Sequence, residues 1–176
     1  MRLKIGEYCV NFFDEWVMRK IDQLFLEYGE SHQNATNKTI HWVCVPAIFF
    51  SIIGLVASIP SDAVQTVLGE GNPYANWAGV ILIVVMIYYV SLSIPLSIGM
   101  LLFVVMCMFL ANAIVQLRVA PLWLVCLVIF VAAWIGQFYG HKIEGKKPSF
   151  FKDLQFLLIG PAWLMHFIYR RLGIPY

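Results

Sequence analysis

Imidazole is the side chain in this sequence best suited to hold a transition metal. Its four copies, His32, His41, His141 and His166, all fall beside apolar runs. Neutral imidazole binds iron, copper, nickel and zinc. His41 opens one apolar run and shares a helical face with Asn37. His141 closes another: in residues 134–148, WIGQFYGHKIEGKKP, a continuing helix puts Gln137, His141 and Glu144 at i, i+4 and i+7 on one stripe. His32 points away from His41 on a continuous helix, so a shared site requires the turn-forming residues 31–37, SHQNATN, to bend the chain back. Ordinary roles compete with each of these. They are an interfacial position for a histidine, a helix cap for Asn37, backbone satisfaction for Gln137 and an ion pair for Glu144.

The elements that must position these groups are membrane helices. With 61% hydrophobic residues, 12% charged residues and a mean hydropathy of +0.78, the 176-residue chain lies far from a soluble mixture. It reads as an all-α integral membrane bundle. A net charge of +2 excludes nucleic acid as an expected partner. Cys9, Cys44, Cys107 and Cys126 are scattered without a CxxC pair, which removes a zinc knuckle or disulfide scaffold. The N-terminal residues lack a continuous apolar stretch of the kind a cleavable signal peptide needs.

Spacing predicts an amphipathic helix over 6–30, a polar break, and a helix starting near Thr36 or Asn37 that carries a span over 40–59. Residues 60–76 contain no lysine or arginine and read as a non-cytoplasmic loop. Spans follow over 77–93 and 96–115, separated at the Ser91-Leu-Ser-Ile-Pro95 break, and a fourth covers 122–139. The Gly160-Pro161 interruption and flanking positive charge make 150–171 an interfacial or re-entrant helix. Four crossings put both termini in the cytoplasm by the distribution of basic residues, Arg118 alone dissenting. All four histidines then meet one membrane face, at the mouth of the bundle.

Two blocks, Tyr28-x3-His32-x4-Asn37-x3-His41 with Pro46 after it, and Trp134-x2-Gln137-x2-Gly140-His141-x2-Glu144-Gly145-x2-Pro148, together with Gly160-Pro161-Ala-Trp163, carry a resemblance. They resemble the membrane family whose fungal member is an iron-dependent 2-hydroxy fatty acid dioxygenase of α-oxidation. The resemblance covers nearly the whole chain. It implies Fe2+ at His32, His41 and His141, with 2-hydroxy fatty acid and O2 as substrates, and a membrane of the endoplasmic reticulum or a bacterial cell. His166 joins this ligand set from topology alone. A 2-hydroxy acid chelates through carboxylate and hydroxyl, so the expected reaction cleaves C1 from C2, releases CO2 and leaves a fatty acid one carbon shorter. The alkyl chain lies between the spans. Lys38 and Lys142 are candidates to steer the carboxylate. Asn37 and Gln137 are expected to orient the imidazoles, and Glu144 either to do the same or to act directly as a ligand or catalytic group. Two further readings stand beside this one: a membrane zinc hydrolase with Zn2+ and Glu144 as base, whose HxxE spacing departs from HExxH, and a non-catalytic lipid or metal carrier.

Overall fold

A computed structural model describes residues 18–145 and 156–176. Among them are seven helices and no strand: α1 (Lys20–Gly29), α2 (Ala35–Ala57), α3 (Asp62–Leu68), α4 (Trp77–Leu92), α5 (Ile94–Leu117), α6 (Leu122–Glu144) and α7 (Ile159–Leu172). Only 20–29 of the expected amphipathic helix and 159–172 of the C-terminal one are seen as helix; residues 6–17 and 150–155 lie outside the described residues.

Local chemistry sets the boundaries. Asn34 caps α2 by accepting hydrogen bonds from the backbone N–H groups of Thr36 and Asn37, so the helix begins slightly ahead of the expected position. Ser93 is extended and separates α4 from α5; its hydroxyl accepts from the Leu96 N–H, and Pro95 sits in the first turn, where its missing N–H costs nothing. α6 follows Pro121 and stops at Gly145 in the left-handed region, φ 72°. The segment 60–76, expected to be a loop, contains α3, which turns Val64 inward. Its seven residues are too few for periodicity to announce a helix.

α2, α5 and α6 are long and apolar enough to cross a membrane. α4 is as apolar, but its 16 residues span only about 24 Å. Ile83, Leu102, Phe109, Val128 and Ile135 are exposed on the helices' outer faces, the pattern of a bundle surrounded by lipid.

α2 and α6 form the most extensively packed helix pair. A Cβ on Gly136 would lie 2.7 Å from Cys44 Sγ, and one on Gly140 would lie 2.3 Å from Asn37 Oδ1. Only hydrogen fits at these two positions, one turn apart, and that lets the backbones approach. Phe49 and Ile53 of α2 pack with Ala78 and Leu82 of α4 and Val104 and Cys107 of α5. α7 is pressed against α1 and the α4–α5 turn through Ile159, Ala162, Trp163 and Leu164. Tyr89 donates its hydroxyl hydrogen to the Leu158 carbonyl at 2.7 Å. Tyr169 donates to the Pro95 carbonyl at 2.7 Å and accepts from the Gly99 N–H at 3.1 Å, fastening α7 to the start of α5.

Candidate metal centre

The bend that a shared site requires is present. α1 ends at Gly29, whose carbonyl accepts from the His32 N–H at 3.0 Å, and the chain turns before Asn34 starts α2. The His32 ring stacks on Tyr28 with centroids 4.2 Å apart, and its Nδ1–H donates to the Tyr28 carbonyl at 2.6 Å. His41, in the second turn of α2, donates from Nδ1 to the Asn37 carbonyl at 3.0 Å. His141, in the last turn of α6, is brought in by the Gly136–Gly140 approach. Ring centroids stand 4.2 Å apart for His32 and His41, 5.3 Å for His41 and His141, and 5.7 Å for His32 and His141. One potential ligand atom from each of the three buried rings lies within 4.8 Å of the others.

The donor set fits a metal. An imidazole whose Nδ1–H is tied to a backbone carbonyl presents the lone pair of Nε2, and His32 Nε2 is buried with no hydrogen-bond partner. Such an orphan costs free energy unless something occupies its lone pair. Burial pushes the pKa of His32 down to about 4, so this ring is neutral near pH 7 and available for coordination.

Glu144 is not turned toward the three rings. Its carboxylate accepts hydrogen bonds from the Gln33 N–H at 2.8 Å, the Asn34 N–H at 3.0 Å and Asn37 Nδ2 at 2.9 Å. It ties the end of α6 to the turn carrying His32, and its charge suits the N-terminus of α2. Asn37 is fully buried; it also donates to the Ser31 carbonyl at 3.3 Å, and its own carbonyl holds His41. Gln137 is buried and lines the cavity that the three histidines share. That cavity measures about 30 Å³, room for an ion or a water rather than for an acyl chain. Val45, Ile48, Trp134, Phe156 and Leu157 form its apolar walls.

His166 lies elsewhere. Its ring packs among Phe25, Phe167 and Tyr176, with centroids 5.0 to 5.2 Å away, and it is absent from the cluster formed by the other three. α7 presents Trp163 to His32 instead, at 5.6 Å between centroids. Lys38 lines a different groove, of about 550 Å³, with Trp42, Trp163 and Arg171. Tyr28 and Gly140, quoted above only as positions of the two family blocks and given no role there, also build the centre. Tyr28's place four residues before His32, and Gly140's one turn beyond Gly136 and directly before His141, are the signals that reveal them.

Comparison with known proteins gives a match between residues 18–172 and the family model described as Mpo1-like: 2-hydroxy-palmitic acid dioxygenase Mpo1-like. Neither a curated protein nor a solved structure matches.

Proposed function

The chain belongs to the Mpo1-like family, and we propose from this membership and from the three converging imidazoles that it is an Fe2+-dependent membrane dioxygenase that shortens 2-hydroxy fatty acids by one carbon. The observation that carries the reading is the meeting of His32, His41 and His141 around one small buried cavity, with the His32 Nε2 unpartnered. Held by these three rings, Fe2+ would supply redox chemistry toward O2 and bind the substrate's carboxylate and hydroxyl.

This chain's own groups do the rest. The Tyr28 and Asn37 carbonyls hold the His32 and His41 rings in one tautomer. Gln137 stands at the cavity wall, placed to orient a ring or the substrate headgroup. Val45, Ile48, Phe156 and Leu157 keep bulk water away and accept the first carbons of the substrate, each buried methylene contributing about 0.8 kcal/mol. The balanced reaction converts R–CH(OH)–COOH and O2 into R–COOH, CO2 and H2O. The C1–C2 bond breaks, and O2 accepts all four electrons, so turnover consumes no external reductant.

Against the hydrolase alternative stands the Glu144 carboxylate, its would-be base, which accepts from two backbone N–H groups and an amide at the start of α2. The same contact supports four crossings. Three crossings would put the start of α2 and the end of α6 on opposite membrane faces, whereas Asn34 and Glu144 are hydrogen-bonded at 3.0 Å. On this reading α4 is the fourth, and the basic residues at both ends of the chain favour cytoplasmic termini. The test is oxygen uptake by iron-loaded protein on addition of 2-hydroxypalmitate, with pentadecanoate and CO2 formed in equal amounts. Absence of both products from iron-loaded protein would reject the reading.

A further inference from the structure

The metal cavity is too small for an alkyl chain, so the tail must lie beyond it. A second cavity, of about 150 Å³, opens between α2 and α4, and every side chain lining it is apolar. Ile52 and Val56 stand on one wall, Leu82 and Val85 on the other, and Leu157 and Leu158 at the end. Leu157 also lines the metal cavity and packs with Ile48. One half-buried side chain, Leu157, thus lines both the cavity that the histidines share and an apolar one whose walls offer no polar side chain. Its lining offers an acyl chain apolar contacts alone.

Length agrees with position. His41, Val45, Ile48, Ile52 and Val56 follow spacings of four, three, four and four along one face of α2. At 1.5 Å per residue, Val56 lies about 22 Å from His41 along the axis. An extended saturated chain advances roughly 1.25 Å per carbon given a C–C bond of about 1.5 Å, so sixteen carbons cover about 20 Å. A sixteen-carbon acid anchored at the three histidines reaches the α2–α4 cavity; an eight-carbon acid stops near Ile48. The larger groove between α4 and α5 shares no lining residue with the metal cavity and faces the lipid.

We infer that the α2–α4 cavity is the tail subsite for a long saturated acyl chain, that Leu157 is the gate joining it to the metal chamber, and that Val56 and Val85 set the chain length accepted. This rests on the dioxygenase reading, and the test separates the two. Val56 and Val85 are half-buried, so Val56→Phe and Val85→Phe fill the cavity without invading the sealed core. In iron-loaded protein, kcat/KM for 2-hydroxypalmitate falls by about tenfold or more in each variant, while that for 2-hydroxyoctanoate changes by less than about twofold. Equal effects on the two substrates overturn the assignment. Independently of turnover, a sixteen-carbon 2-hydroxy acid bearing a terminal diazirine is photolysed with each protein. Label displaceable by 2-hydroxypalmitate is expected within 49–56 or 78–85, and is lost in Val85→Phe. Displaceable label confined to other segments overturns the subsite. If the wild-type protein oxidises no 2-hydroxy acid yet is labelled there, the tail site stands and the reaction assignment falls.

Discussion

Asn37 Nδ2 donates to the Glu144 carboxylate at 2.9 Å, joining two residues 107 positions apart and closing the mouth of the α2–α6 pair. The Asn37 carbonyl also holds His41, and Glu144 holds the turn that ends α1, so this contact ties together the segments that carry the three histidines. Replacing Glu144 by Ala is expected to lower stability by about 1 kcal/mol and to weaken metal affinity by about 10- to 100-fold. Thermal unfolding in detergent and a metal titration measure these. A Glu144 that acted as base or ligand would instead give an inactive protein of unchanged stability.

Gly140 must lack a side chain because a Cβ there would sit 2.3 Å from Asn37 Oδ1. Gly140→Ala forces α6 away from α2 at a cost of about 1–3 kcal/mol and moves His141 from its partners. The expected outcome is a lower unfolding midpoint together with reduced metal content. A variant that keeps both would show that the close approach is dispensable.

Acid should destabilise the metal-free protein. Burial holds the pKa of His32 at about 4 in the folded chain, below its ordinary 6.5, so the unfolded state binds the proton more readily between those values. Stability is then full above pH 6.5 and falls as pH drops toward 4, by up to about 1.4 kcal/mol per pH unit for this histidine. Unfolding midpoints of metal-free protein from pH 8 to pH 5 measure it. Stability that rises on acidification would contradict the burial of a neutral His32.

His166 is expected to be dispensable for metal. Its neighbours are Phe25, Phe167 and Tyr176, and burial together with nearby Arg170 lowers its pKa. His166→Ala should retain bound metal and turn over 2-hydroxypalmitate within about threefold of the parent, any stability loss of about 1 kcal/mol being that of one partly buried side chain. Loss of metal from this variant would place His166 in the ligand set after all.

Much of this organisation was legible in residue spacing. The period of α6 put Gln137 and His141 on one stripe, the need for His32 to face His41 demanded the bend at SHQNATN, and Ser93 with Pro95 marked where one apolar run became two helices. Other features depend on contacts between distant segments. Nothing local to Glu144 says that it meets Gln33, Asn34 and Asn37, because Lys142 and Lys147 are its neighbours in sequence and offer it ordinary ion pairs. His166 does not join the other histidines, since Trp163, a turn earlier on α7, takes the position beside His32. α3 is not legible in the sequence because Val64, Val67 and Leu68 are too few apolar positions to distinguish one amphipathic helix from a loop.

Metal content after anaerobic purification tests the central claim most directly, measured on the wild-type protein and on His41→Ala side by side. The triad predicts one iron per chain in the wild type and almost none in the variant. Zinc in the wild type, or iron retained undiminished when His41 is gone, would contradict it.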